Sequence, residues 1–81
     1  MPKMRAKFQV QSVLRHQDGQ ETLKMNAVCK SGPYPADGSD EDNTFSLFSP
    51  SGELTLVVNN PALSGKINPG EKYYLDFALA E

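Results

Sequence analysis

Cysteine and histidine are almost missing: Cys29 and His16 are the single examples of each, and tryptophan is absent. One thiol cannot form an internal disulfide, and one Cys with one His falls short of the four ligands of a structural zinc site. A chain without bridges fits a reducing compartment. Long apolar runs are missing too, and the opening MPKMRAKFQV holds charges without the apolar run of a signal peptide. These absences lead to the expectation of a soluble cytoplasmic protein with no membrane partner. Its 81 residues make a single domain, 1–81, close to the smallest that folds without a metal or bridges.

Catalytic groupings are scarce as well. Cys29 as a nucleophile would need His16 as its base. In the strand pairing derived below, His16 lies eight residues beyond the position opposite Cys29, roughly 26 Å along a strand. Cys29 therefore reads as a small apolar core residue and His16 as a strand-end residue. The carboxylates Glu53, Glu71 and Asp76 are dispersed, with no pair spaced for acid–base work. A non-enzymatic chain follows, with no catalytic residue, no cofactor and no small-molecule substrate.

What is present is charge, unevenly placed. Residues 1–30 hold Lys3, Arg5, Lys7, Arg15, Lys24 and Lys30 against Asp18 and Glu21, a sum of +4, whereas residues 31–81 sum to −6. Such asymmetry can steer a charged partner, although strands also need a solvated face that Lys and Arg readily fill.

Alternation of apolar and polar residues runs from Arg5 to His16 and again from Glu21 to Lys30, with QDGQ between them. Asp18-Gly19 suits a two-residue type I′ hairpin turn. Facing Gln17 with Gln20 sets Leu14 opposite Leu23, Ser12 opposite Met25, Val10 opposite Ala27 and Phe8 opposite Cys29, so one side becomes almost wholly apolar. The other side carries Arg5, Lys7, Val13, Arg15, Lys24, Val28 and Lys30. A second hairpin is expected from NTFSLF and ELTLVV across SPSG, with Phe45 and Leu47 opposite Leu56 and Leu54.

Asn60 is a good helix cap, Pro61 suits the first helical position, and Gly65 can end a turn, so NPALSG predicts one short helical turn with Leu63 plugging the core. Asn68-Pro69-Gly70 fits a type II turn. Strand EKYYLDFAL then closes the domain, with Tyr73, Leu75 and Phe77 inward and Tyr74 and Asp76 outward. Gly65-Lys66 is not a phosphate-binding loop, which needs a glycine where Asn60 stands and Ser or Thr where Ile67 stands. The sum is an all-β fold of five antiparallel strands, a small barrel or sandwich, SH3-like or, as second choice, OB-like.

Between the second and third expected strands, SGPYPADGSDEDN (31–43) has two prolines, two glycines and four acids, the composition of a mobile acidic loop. Asp37, Asp40, Asp42 and Asn43 offer oxygen ligands, but the order does not match a calcium-binding loop, so no metal is expected.

Lys3-Met4-Arg5-Ala6-Lys7-Phe8, Asn43-Thr44-Phe45-Ser46, Asn60-Pro61-Ala62-Leu63, Asn68-Pro69-Gly70-Glu71 and Tyr73-Tyr74-Leu75-Asp76-Phe77 together give a chain that resembles small proteins of tailed bacteriophages, over nearly its whole length. The resemblance carries no catalytic residue. It implies a setting in the bacterial host cytoplasm or the virion, and a role as virion accessory, replication factor or host-directed binder.

Two functions of different kinds follow. The first is protein binding or self-association through apolar side chains left outside the core, for which Val13, Val28, Tyr34, Phe48, Val57 and Tyr74 are the candidates, or through an exposed strand edge. The alternative is a small barrel for single-stranded nucleic acid that uses Arg5, Lys7, Arg15, Lys24 and Lys30.

Overall fold

The structure, a computed structural model, describes residues 4–80. Four strands form one antiparallel sheet: β1 (Met4–Arg15), β2 (Glu21–Ala27), β3 (Glu53–Val58) and β4 (Lys72–Phe77), in the order β3-β2-β1-β4. The outer strands β3 and β4 do not meet, so the sheet stays open, and the molecule is a slab of 48 × 32 × 16 Å. The all-β class holds. The closed barrel or sandwich of five strands does not: the described residues contain four strands in a single open sheet.

The strand expected at 43–48 is replaced by turns. Ser46 N–H donates to Asn43 O, and Phe48 N–H reaches back to Gly38 O at 2.7 Å. Phe48 also has φ of +62°, which no strand accommodates. With that segment bent away, β3 pairs with β2 instead, setting Leu54 opposite Met25, Leu56 opposite Leu23 and Val58 opposite Glu21. Phe45 and Leu47 are left exposed rather than facing Leu56 and Leu54.

The first hairpin turns differently from the two-residue expectation. Gly19 N–H donates to His16 O at 3.0 Å, His16 N–H donates to Gln20 O at 2.8 Å, and Gly19 has φ of +92°. That is a type I turn followed by a left-handed glycine, the usual three-residue hairpin loop. Pairing near the turn is therefore displaced by one residue, with Val13 opposite Leu23 and Leu14 opposite Thr22. A displacement of that kind would put Phe8 and Val10 on the wrong face. A β-bulge between Val10 and Ser12 shifts the register once more, so that Val10 meets Met25 and Phe8 meets Ala27 on the apolar side.

The consequence is an exchange of roles around the bulge. Val13 turns inward and packs on the core, whereas Leu14 points out and is 61% exposed. Arg15 also moves from the outer to the inner side, opposite Glu21. The core is small: Ala6, Phe8, Val10, Leu23, Met25 and Val58 are buried, with Val13, Leu54, Ile67, Tyr73 and Leu75 packed around them. Each fully buried aliphatic side chain contributes about 1.5–3 kcal/mol relative to an exposed one.

The 3-10 turn Pro61–Leu63 precedes β4, and the Asn60 side chain accepts the Ala62 N–H as its cap. Leu63 is exposed and plugs nothing, because the turn lies at the rim of the sheet. Glu71 N–H donates to Asn68 O, and Gly70 has φ of +90°, as the Asn-Pro-Gly turn requires. Tyr73 and Leu75 are half-buried, but Phe77 is exposed at the open end of β4. Cys29 is exposed rather than part of the core, since β2 ends at Ala27.

Pairing around the bulge is directly testable. Leu23→Ala is expected to cost about 2–4 kcal/mol in urea unfolding, and Leu14→Ala to stay within about 0.5 kcal/mol. A hairpin that paired Leu14 with Leu23 on the inner face would show comparable losses for both.

Candidate functional site

Beyond Phe8 and Ala27, β2 leaves the sheet, and the segment after Ser39 takes its place beside the first residues of β1. Val28 N–H still donates to Lys7 O at 2.9 Å. Next in line comes a side chain: Asn43 Oδ1 accepts the Lys7 N–H at 2.8 Å, and Asn43 Nδ2 donates to Val28 O at 2.7 Å. The carboxamide thus acts as a spare peptide group. Thr44 completes the row, its N–H donating to Arg5 O and its Oγ1 accepting the Arg5 N–H. Asn43 is 0% exposed, as such a role demands, since both partners would otherwise be stranded away from water.

Asp40 holds Asn43 in place. Its Oδ1 accepts the N–H groups of Asp42 and Asn43, and its Oδ2 accepts from Asn43 Nδ2 and the Lys30 N–H. Burial would raise this carboxyl, but hydrogen bonds from the Asn43 side chain and from the Asp42, Lys30 and Asn43 amides outweigh it and hold the pKa below the ordinary aspartate value. The Asp-Gly-Ser-Asp-Glu-Asp-Asn stretch is thereby tied to the sheet at its second half. Among the described residues, no cluster of three or more His, Cys, Asp or Glu side chains is placed to hold a metal.

Several charges of the outer face are engaged. Arg5 Nε donates to Asp76 Oδ1 at 2.7 Å, and the Arg5 guanidinium lies 4.6 Å from the centre of the Tyr74 ring. Tyr74 O–H donates to Asp42 Oδ1 at 2.9 Å, and this bond to a carboxylate raises the phenol above its usual pKa. Lys7 Nζ meets Asp42 Oδ2 at 3.4 Å, and Lys30 Nζ meets Glu41 at 3.2 Å. Arg15 pairs with Glu21 at 2.7 Å, and the buried Glu21 carboxylate also accepts the Gly65 N–H, tying the hairpin to the loop before β4. Four of the five basic candidates are thus ion-paired, and Lys24 has no ion pair among the described residues. Lys24 remains on the outer face with Arg5 and Lys7, whereas Arg15 lies on the inner side and Lys30 outside the strands.

The apolar candidates do not form one patch. Val13 is in the core layer, and Val28 is half-buried where β2 ends. Tyr34 and Phe48 meet at 5.9 Å between ring centres, with the Phe48 ring lying over Gly38 where no side chain would fit. The Tyr34 hydroxyl is buried without a hydrogen-bond partner among the described residues, and burial is the first cause of its raised pKa. Val57 is exposed on the outer face, in one row with Thr22 and Leu14. Tyr74 stands on the far strand, beside Lys7.

A further apolar depression of about 150 Å³ opens on the inner face between Met4, Ala6, Phe8, Phe45 and Phe77. It has no polar group with which to orient a substrate. The wider depression at the hairpin turn, lined by Asp18, Gly19, Gln20, Asn59, Pro61 and Ser64, has no nucleophile and base in contact. His16 hydrogen-bonds Thr22 at 2.9 Å and does not approach Cys29. Glu21, Asp40 and Asn43 are buried polar residues whose anchoring roles the sequence reading missed, having weighed Asp40 and Asn43 only as possible ion ligands. Of these, Asp40 carried a local signal, since an aspartate side chain readily closes a turn onto the backbone N–H two residues on, here that of Asp42.

In comparison with known proteins, the chain matches no family model, and no curated protein or solved structure matches it.

Two measurements check the polar anchor. Asn43→Ala should lower stability by about 2–3 kcal/mol, the cost of stranding one buried donor and one buried acceptor. Since the Asp40 carboxyl titrates below its unfolded value of about 3.9, its contribution is complete above that pH and is lost as the pH falls through the folded pKa. Asp40→Asn should therefore reduce the loss of stability between about pH 5 and pH 2, although Asp37 and Glu71, also lowered by hydrogen bonds, keep part of it.

Proposed function

We propose that this chain is a small non-enzymatic module that works by binding protein. The observation that carries this reading is the amount of large apolar side chain left in water. Leu14 and Val57 stand on the outer face, Met4, Phe45 and Phe77 surround the inner depression, and Leu47, Phe48, Leu56 and Leu79 are exposed as well. Scattered exposed hydrophobes are ordinary, but so many on a domain of this size point to surface that a partner covers. The resemblance to small phage proteins supplies the proposed setting, a virion accessory or a binder of a host factor.

Single-strand nucleic-acid binding draws less support. Its basic side chains are mostly engaged by carboxylates, and Tyr74, the aromatic ring on the same face, has one side of its ring taken by Arg5. Stacking needs an open ring, and phosphate binding needs cations free to release counterions.

The test uses the purified chain as bait in an extract of the cells that make it, alongside labelled single-stranded DNA at low salt. Discrete proteins are expected on the wild type and not on a Leu14→Asp/Val57→Asp variant whose circular dichroism is unchanged. DNA bound at low salt with no protein retained would overturn the proposal.

A further inference from the structure

The two free edges of the sheet are built differently. β4 carries Lys72 and Asp76 in its outward row, the kind of charge that discourages a second strand from docking. β3 reads Glu53-Leu54-Thr55-Leu56-Val57-Val58, with one charge at its start and then five uncharged strand formers, and it has neither proline nor bulge.

The hydrogen-bonding groups on that edge can be assigned. Ala27 N–H donates to Gly52 O at 3.0 Å, so the odd-numbered residues of β2 face β3 and bond Leu54, Leu56 and Val58. By alternation, Glu53, Thr55 and Val57 aim their N–H and C=O groups away from β2, where the sheet has no further strand among the described residues. Leu56, directly beside the buried Leu23, is 49% exposed on the inner face, and Val57 is 53% exposed on the outer one.

We infer that this edge is the contact between two copies of the chain, joined antiparallel through β3 about a two-fold axis at Thr55. The inference rests on the binding-module reading and names its partner. With Thr55 facing Thr55 of the second copy, Glu53 faces Val57 of the second copy, and about six N–H···O bonds link the three pairs. The register is self-complementary in charge, because each Glu53 meets a valine and no like charges stand opposite one another. Leu54 falls opposite Leu56 of the second copy on the inner side, so the row from Leu23 through Leu56 continues into the neighbouring protomer. An isologous contact of this kind closes on itself and gives one eight-stranded sheet.

Sedimentation from micromolar to millimolar concentration tests the contact, with Thr55→Pro as the variant. The Thr55 N–H makes no bond within the sheet, so proline at this edge position removes only the intermolecular donor. A twofold rise in mass for the wild type, and a monomer for Thr55→Pro with an unchanged circular dichroism spectrum, is the expected result. If the proline variant does not fold, hydrogen exchange of the wild type decides: the Thr55 and Val57 amides should slow as concentration rises, and unchanged exchange there overturns the contact. A wild type that stays monomeric, or a folded Thr55→Pro that still doubles in mass, also overturns it. A monomer that still captures other proteins ends the pairing of copies alone, whereas DNA binding without protein capture ends the binding-module reading itself.

Discussion

Everything in this fold hangs from β1, the strand bonded on both sides, to β2 and to β4. Its apolar residues can share one face with those of β2 only if two one-residue displacements add up to two. The three-residue turn at Gln17-Asp18-Gly19 moves the register by one position, and the bulge after Val10 moves it by one more. Because side chains in a strand alternate faces, a single displacement would have exposed Phe8 and Val10. The pair of irregularities preserves the core and gives up Leu14 to solvent.

The same strand organises the polar chemistry. Where β2 ends, the backbone groups of Lys7 and Arg5 need partners, and Asn43 and Thr44 supply them from a distant part of the chain. Asp40 in turn immobilises Asn43. The acidic segment and the basic ribbon, opposite in charge, are brought together by this, so Asp42 comes to lie between Lys7 and Tyr74. A charge asymmetry that looked available to an external polyanion is largely neutralised inside the molecule. Exposed apolar surface and the uncharged run of the β3 edge govern the functional reading.

Several parts of this architecture could be read before any coordinates. The all-β class followed from period-two alternation, the Asn60 cap and the Asn-Pro-Gly turn from local backbone chemistry, and the outward placement of Tyr74 and Asp76 from the pattern of β4. These depend on neighbours in the chain. The fate of 44–48 did not, because TFSLF alternates as well as many strands do, and only the reach of Phe48 to Gly38 and of Thr44 to Arg5 bends it. The apolar candidates scattered for long-range reasons too: Val13 sits beyond the bulge, and Val57 lies on the edge strand β3.

The residues alone determined the all-β class, the Asn60 cap and the Asn68-Pro69-Gly70 turn, since each depends on composition or on contacts a few positions apart. Tertiary structure alone decided that β3 pairs with β2 and β4 with β1, which lysines and arginines are ion-paired, and which strands form the open edges. Those outcomes depend on long-range competition for backbone partners, in which one buried carboxamide and one inserted residue shift the balance, and neither leaves a mark on local sequence pattern.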